Sequence, residues 1–148
     1  MNKEYKKILL VEDNRDDEEL IMLTFEKNEI SEFVHIVHDG VEALEYLFGS
    51  IDGNELRNPF PKLVLLDLKL PRIDGLEVLK RIRRHPEAKN VSVVVFTSSQ
   101  EENDRVESYR LNVDGYIIKP MDYKDFPQAI EKIALCLLTN MGKKSSIE

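Results

Sequence analysis

Short runs of hydrophobic residues alternate along this chain with longer segments in which hydrophobic residues recur every three or four positions. A short apolar run is typical of a strand buried in a sheet, and the longer spacing is typical of a helix that packs one face against that sheet. The alternation therefore predicts an α/β protein built from βαβ units around a parallel sheet. The predicted strands span residues 7–11, 33–38, 63–67, 91–96 and 115–118.

The segments between and after these strands carry the helical spacing, so five strands and five helices fill the chain. Polar residues mark two of the predicted helix starts. Asp74 can accept backbone amide hydrogen bonds at the start of the third helix, and the segment from Ser99 to Glu102 fits a capping box before the fourth. The hydrophobic residues that define the second, third and fifth helices are Val41, Leu44, Leu47 and Phe48, then Leu76, Leu79 and Ile82, then Phe126, Ile130, Ile133 and Leu137.

The connection from Gly49 to Pro61 is the longest segment without either pattern. It contains two Gly, two Pro and two Asn, a composition that predicts a loop. The loop is either a solvated connection or a surface for a partner.

The length and composition fit one domain. The chain has 148 residues, of which 42% are hydrophobic, and about two thirds of the surface of such a chain is buried on folding. We expect a single domain over residues 1–148, with its core at about 6–138 and a short tail at 139–148.

The charge argues against two classes of partner. Twenty-one Lys and Arg against 28 Asp and Glu give a net charge of −7, which repels nucleic-acid phosphates and anionic lipids. No apolar stretch approaches the roughly 20 residues that cross a bilayer, and no signal-peptide core is present. Cys136 is the single cysteine, so an internal disulfide is excluded. These features predict a cytoplasmic protein that binds neither nucleic acid nor membranes.

Carboxylates follow two of the predicted strands. Glu12 and Asp13 follow the first strand, and Asp67 ends the third. The carboxyl ends of parallel strands meet at one edge of a sheet, where ligands bind, and carboxylate oxygens are ligands that Mg²⁺ prefers. For Glu12 and Asp13 alone, negative charge at a helix N-terminus is an equal alternative; that is the role we assign to the acids at positions 16–19.

A hydroxyl and a cation end two further strands. Thr97 closes the fourth strand, and Lys119 follows the fifth. Both could contact a phosphoryl group at the same edge, although a local cap for Thr97 and plain surface charge for Lys119 are the alternatives. With a metal to offset charge repulsion, an oxygen of Asp67 could attack phosphorus and form an acyl phosphate. The three histidines, His35, His38 and His85, lack the spacing of a zinc site.

Taken together, these residues resemble the receiver domain of bacterial two-component response regulators over about residues 6–138. The resemblance implies a flavodoxin-like (βα)5 three-layer sandwich with a parallel five-stranded sheet in the order 2-1-3-4-5. The segments that carry it are Leu10-Val11-Glu12-Asp13-Asn14, Asp67 with Pro71 and Asp74-Gly75, Thr97-Ser98-Ser99, and Tyr116-Ile117-Ile118-Lys119-Pro120.

The resemblance also implies a function and a set of site residues. Receivers of this kind take a phosphoryl group from a histidine kinase onto an aspartate, which here matches Asp67. The metal ligands would be Glu12, Asp13, Asp67 and the backbone carbonyl of Lys69, with Mg²⁺ as the cofactor. Thr97 and Lys119 match the pair that contacts the phosphoryl group.

In this family the hydroxyl residue moves toward the phosphoryl group and an aromatic residue of the fifth strand turns inward. Tyr116 matches that aromatic residue; a buried core tyrosine is the alternative. The movement reshapes the face formed by the fourth helix, fifth strand and fifth helix, which would bind a downstream signalling protein or a second copy of the chain. The family commonly has a cis bond at the position of Lys119-Pro120. Asn112 replaces a common glycine and tolerates the same left-handed backbone.

Lys69 bears on two further points. Its side chain lies at a position that commonly tunes dephosphorylation, and it either leans over the phosphoryl group or points to solvent. A phosphatase of the haloacid dehalogenase type would need a second acid at this position, which lysine does not supply, so we do not expect an enzyme that turns over a metabolite.

In its long 49–61 connection and its lack of an output domain, the chain resembles the stand-alone receivers that are paired with phytochrome-type histidine kinases.

Overall fold

The computed structural model describes residues 5–49 and 59–143, with side chains described as far as residue 135. Five strands alternate with five helices, and two short 3-10 turns precede the second strand and the last helix. The strands are β1 (Ile8–Val11), β2 (Val34–Val37), β3 (Leu63–Leu66), β4 (Ser92–Thr97) and β5 (Gly115–Ile118), and the helices are α1 (Arg15–Lys27), α2 (Gly40–Phe48), α3 (Gly75–Arg84), α4 (Glu102–Arg110) and α5 (Phe126–Lys143).

The strands form one parallel sheet in the order β2-β1-β3-β4-β5. This confirms the predicted fold, and the strand ends agree with the predicted ones to within one residue. The agreement has a simple cause. The inner strands of a sheet covered by helices on both faces are buried on both sides. Their sequences are therefore unbroken runs of hydrophobic residues, which are easy to locate.

Successive residues of β1 point to opposite layers of the core. Ile8 and Leu10 pack in the layer of α1 and α5, whereas Leu9 and Val11 pack in the layer of α2 and α3. The first layer also contains Ile21, Phe25, Ile130 and Ile133, and the second also contains Ala43, Leu47, Val78, Leu79 and Ile82. A strand buried on both faces holds its carboxyl end rigidly between the two layers.

Helix starts show one confirmed prediction and one wrong one. The Asp74 side chain accepts a hydrogen bond from the Glu77 amide at 3.0 Å and caps α3 as predicted. The capping box before α4 is wrong, because the helix begins after Glu101, whose side chain makes no cap. Ser99 lies too early to cap the helix, and its hydroxyl donates to Asp104 instead.

Four further predictions concern the end of the core, the turn after α4, the 49–61 connection and membrane-spanning segments. Helix α5 runs to Lys143, so its backbone stays helical beyond the expected core limit at residue 138. Asn112 has a φ of 61°, the left-handed conformation expected there. Most of the 49–61 connection lies outside the described residues. Within the part of the chain that the structure describes, no helix combines the length and apolarity needed to cross a bilayer.

Candidate functional site

The sheet register brings the acids of β1 and β3 together. Val11 and Leu66 are paired in neighbouring strands, and each is followed at once by an acid, Glu12 after β1 and Asp67 after β3. The chain leaves β1 toward β2 on one side, while β3 lies on the other side. The acids therefore lie at the point where strand order reverses, which is the usual ligand position in open α/β sheets.

The three predicted acids form one cluster. A carboxylate oxygen from each of Glu12, Asp13 and Asp67 lies within 4.8 Å of the others. Glu12 and Asp67 are buried, whereas Asp13 is exposed. Two or three carboxylates together with water satisfy a Mg²⁺ ion, and an exposed ligand leaves room for that water. The donor set thus fits a hard divalent cation.

The buried side chain of Lys119 lies at the same edge. Its Nζ is 2.8 Å from Oδ2 of Asp67, 3.0 Å from Oε1 of Glu12 and 2.7 Å from Oδ2 of Asp17. Three buried carboxylates therefore surround one ammonium group. The alternative that Lys119 is plain surface charge is wrong, because its side chain is nearly fully buried.

Burial and neighbouring charge shift the pKa of two of these groups. Burial raises the pKa of Glu12 to about 8, with the charge of Asp67 acting in the same direction and Lys119 opposing it. Burial alone would lower the pKa of Lys119, but the charges of Asp67 and Glu12 and the bond to Asp17 raise it above its usual value. Lys119 is therefore a fixed cation, and the acids around it exceed it in charge.

Short contacts hold the Asp67 carboxylate. Its Oδ1 accepts a hydrogen bond from the backbone amide of Lys69 at 3.2 Å, and its Oδ2 accepts one from Lys119. Gly75 begins α3 directly against this residue: a Cβ added there would lie 2.3 Å from the Asp67 carbonyl oxygen. Only glycine lets the helix start so close to the strand end.

Thr97 and Tyr116 meet through the turn after β4. Thr97 is fully buried, and its hydroxyl accepts a hydrogen bond from the Ser99 amide at 3.3 Å. The half-buried Tyr116 donates its hydroxyl hydrogen to the Ser99 carbonyl oxygen at 3.2 Å. The Lys119 amide donates to the Thr97 carbonyl oxygen at 2.7 Å. Thr97, Tyr116 and Lys119, which the sequence predicts to lie on or next to β4 and β5, thus belong to one hydrogen-bonded edge of the sheet.

Two details differ from expectation. The Lys69 side chain does not simply point to solvent: its Nζ lies 3.3 Å from Oδ2 of Asp104 on α4. The bond between Lys119 and Pro120 is trans, so the cis geometry expected from the family is absent from it.

Asp17 is the residue that sequence reasoning missed. The sequence predicts that it is helix N-terminal charge, yet it is buried and bonded to Lys119. A signal was present in the spacing, because Asp17 lies one helical turn before Ile21 and two turns before Phe25, both of which face the core.

This fold, with an acid cluster, a buried lysine and a hydroxyl at the switch point of its sheet, defines a receiver-type α/β domain. The family model described as the response regulator receiver domain matches residues 8–131. The chain therefore belongs to the response regulator receiver domain family, which is not a family of metabolite-converting enzymes.

Individual relatives agree with the family. The chain is 38% identical over 128 residues to the response regulator Rcp1 of a Synechocystis strain, an alignment that covers 86% of each chain. The crystal structure of the Mn²⁺-bound form of Rcp1 superposes with a TM-score of 0.82 at 37% identity, covering 90% of this chain and 94% of that one. The phosphorylated cyanobacterial phytochrome response regulator RcpA gives a TM-score of 0.80 at 38% identity, covering 93% and 96%.

Proposed function

We propose that this protein is the phosphoacceptor of a two-component phosphorelay and takes a phosphoryl group from a histidine kinase onto Asp67. The observation that carries the proposal is the placement of the Asp67 carboxylate, which lies in the acid cluster and 2.8 Å from the buried Lys119 ammonium. A carboxylate in contact with a fixed cation and a metal-binding cluster is arranged to accept an anionic group.

The residues divide the chemistry between them. Glu12, Asp13 and Asp67, joined by the Lys69 backbone carbonyl, would hold Mg²⁺, which when bound supplies positive charge against the incoming phosphoryl oxygens. A carboxylate oxygen of Asp67 attacks phosphorus, and the bond from phosphorus to the kinase imidazole nitrogen breaks with its electron pair going to that nitrogen. Lys119 stabilises the charge of the transferred group. Membership of the family and the Mn²⁺-bound form of Rcp1 support both the reaction and the metal.

In this proposal, the face formed by α4, β5 and α5 is the protein-binding surface that changes on phosphorylation. In this proposal Thr97 moves toward the phosphoryl group and Tyr116 follows it, since both are bonded to Ser99. Large hydrophobic side chains are exposed on or beside this face, and they fit a protein partner, either a downstream signalling protein or a second copy of the chain. These side chains are Val106, Tyr109, Ile118, Met121 and Tyr123.

The kinase is proposed to be of the phytochrome type, because RcpA is a cyanobacterial phytochrome response regulator and the bacteriophytochrome response regulator RtBRR is 43% identical to this chain, with a TM-score of 0.70.

We propose that this phosphoryl transfer takes place in the cytoplasm. The sequence has a single cysteine, Cys136, which fits a reducing compartment.

The proposal is tested by incubating the protein with acetyl phosphate and Mg²⁺ and weighing it intact. We expect a phosphate adduct that disappears in Asp67→Asn and when the metal is removed by a chelator. Asp122→Asn is the matched control, since this exposed acid lies outside the cluster and should leave the adduct unchanged. An adduct that persists in Asp67→Asn, or none in the unmodified protein, rejects the assignment.

A further inference from the structure

Arg72 and Asp39 join two loops at the carboxyl edge of the sheet. The guanidinium of Arg72, in the loop between β3 and α3, contacts the carboxylate of Asp39 through two nitrogens. Its Nε lies 3.2 Å from Oδ2, and its Nη2 lies 3.1 Å from Oδ2 and 3.3 Å from Oδ1. Asp39 lies two residues after β2 and is not a member of the acid cluster that fits a divalent cation. A pair with several contacts fixes orientation as well as distance.

Asp39 is a firm anchor for this pair. Its Oδ1 accepts the Glu42 amide at 2.8 Å and so caps α2, and its side chain is only 15% exposed. Burial acts to raise the pKa of Asp39, but the bonds from the Glu42 amide and from Arg72 hold that pKa below its usual value. The carboxylate therefore stays charged at a fixed position, the start of α2.

Arg72 has a strained backbone. Its φ is 69°, in the left-handed region that residues other than glycine seldom adopt. Such a conformation persists only where the surrounding contacts fix it. One of these contacts is between backbones, since a Cβ added to Gly40 would clash with the carbonyl oxygen of Ile73. The loop thus touches the start of α2 directly beside the pair of Arg72 and Asp39.

The same loop carries groups of the proposed metal site. The Lys69 amide donates to Oδ1 of Asp67 at 3.2 Å, and the Lys69 carbonyl is a proposed ligand. The Lys69 side chain ties the loop to α4 on one side, through Asp104. Arg72 ties the loop to α2 on the other side, the side of β2. The loop is therefore held from both directions, and the Arg72 tie has no other role in the site described above.

We propose that Arg72 and Asp39 are positioning residues for the metal site, which hold the loop in the conformation that presents the Lys69 carbonyl to the ion. The inference rests on the proposed ligand set. Without the pair the loop populates other conformations, and the apparent affinity for the ion falls in proportion to the population that can bind it. We expect a loss of about threefold, which is within the range that a partly exposed ion pair supplies.

The test measures Mg²⁺ affinity by isothermal titration in Arg72→Gly, Asp39→Asn and the double variant. Glycine suits the left-handed backbone and asparagine still caps α2, so the urea midpoints should stay close to that of the unmodified protein. Each single variant should lose about threefold in affinity. The two losses should not add in the double variant, because either substitution removes the same pair. Arg81→Gln removes an exposed cation from α3 and should leave the affinity unchanged.

Hydrogen exchange of the Lys69 amide in the metal-free protein gives a second readout. We expect this amide to exchange about threefold faster in Arg72→Gly than in the unmodified protein, while the urea midpoint stays the same. A loop that opens locally without a loss of global stability is not what a purely structural role predicts. An unchanged exchange rate would contradict the inference.

The outcomes separate this inference from the proposed function. An unchanged Mg²⁺ affinity in Arg72→Gly, or losses that add in the double variant, overturns the role of the pair and leaves the proposed function standing. If the predicted losses are found but acetyl phosphate gives no adduct, the pair keeps its role and the proposed function fails. An unmodified protein that binds no Mg²⁺ overturns the ligand set and this inference with it.

Arg72→Lys decides the matter should Asp39→Asn fail to fold. Lysine keeps the charge but cannot reproduce the contacts of the planar guanidinium, so the affinity for Mg²⁺ should still fall. An affinity equal to that of the unmodified protein would contradict the inference.

Discussion

The Nζ of Lys69 lies 3.3 Å from Oδ2 of Asp104, and this ion pair joins the loop after β3 to α4. The same Asp104 oxygen accepts a hydrogen bond from the Ser99 hydroxyl at 2.5 Å. Ser99 in turn accepts the Tyr116 hydroxyl through its carbonyl. Asp104 is therefore the buried centre of a network that links the loop after β3 to Tyr116 on β5.

Asp104→Asn should lower stability by about 1–3 kcal/mol, because it weakens a buried, charge-assisted hydrogen bond and removes the partner of Lys69. Lys69→Met should cost less, about 0–1 kcal/mol, since the lysine side chain is 53% exposed and such pairs are screened by water. Urea unfolding measures both. Equal costs would mean that the ion pair, rather than the bond to Ser99, is the main contribution of Asp104.

Gly75 sets the position of Asp67 by lacking a side chain. In Gly75→Ala the new Cβ would meet the Asp67 carbonyl oxygen at 2.3 Å and the Leu68 Cα at 2.6 Å, and backbone atoms cannot rotate away. We expect a loss of about 1–3 kcal/mol from overpacking and weaker Mg²⁺ binding, because Asp67 must shift. Calorimetry gives both quantities.

Gly115→Ala is the control for that substitution. Its nearest contact would be the Val94 side chain at 3.7 Å, an ordinary van der Waals distance, so metal affinity should not change. If Gly75→Ala bound Mg²⁺ as tightly as Gly115→Ala does, the close approach of the helix start would not be what fixes the position of Asp67.

Much of this arrangement could be predicted because it follows from strand ends. Apolar runs located β1 and β3, and parallel pairing then had to bring Glu12 and Asp67 to one edge. The sequence does not single out Asp17, because an acid in the first turn of a helix more commonly serves as helix N-terminal charge. The link from Lys69 to Asp104 depends on how α4 packs beside the β3–α3 loop, which local pattern does not encode.

Arg83 illustrates the same limit. Its guanidinium donates to the carbonyl oxygens of Leu111 and Val91, each at 2.7 Å, and to those of Lys89 at 2.9 Å and Asn112 at 3.0 Å. Any residue can present a backbone carbonyl, so the sequence does not show that this arginine has carbonyl partners. From the sequence alone, an arginine in a helix is predicted to be surface charge. The contacts show instead that Arg83 fastens the turns before β4 and β5 to α3.

Arg83→Lys should therefore be destabilising although the charge is kept. A lysine has three donors on one atom and does not reproduce a planar fork that serves four acceptors, so part-buried hydrogen bonds from a charged donor are lost, at about 1–3 kcal/mol. The urea midpoint should fall. Arg84→Lys is the control, because the side chain of Arg84 is exposed and its ion pair with Glu77 tolerates lysine; similar midpoints for the two variants would contradict the fastening role.

Asp13 tests the ligand set without disturbing the core. It is the exposed member of the acid cluster, so Asp13→Asn should reduce Mg²⁺ affinity by about tenfold, the equivalent of roughly 1.4 kcal/mol, with little change in stability. Isothermal titration measures the affinity. Asp16→Asn removes the same charge from an exposed position outside the cluster and should bind the ion nearly as the unmodified protein does. Equal losses in the two variants would indicate a general charge effect instead of coordination.

Removing Lys119 should destabilise the site more than any other substitution considered, because its ammonium is the shared partner of three buried acids. In Lys119→Met three buried carboxylates lose their cation, and breaking a buried pair in this way costs about 3–5 kcal/mol. Mg²⁺ should recover part of that loss, since it supplies charge to Glu12 and Asp67 and binds only the folded protein. Thermal unfolding with and without Mg²⁺ should thus show a larger metal-induced increase in Tm for Lys119→Met than for the exposed control Lys124→Met. If Mg²⁺ raised the Tm of the two variants equally, the Lys119 ammonium and the metal would not compete for the same carboxylate oxygens. The ammonium and the metal would then occupy separate sites.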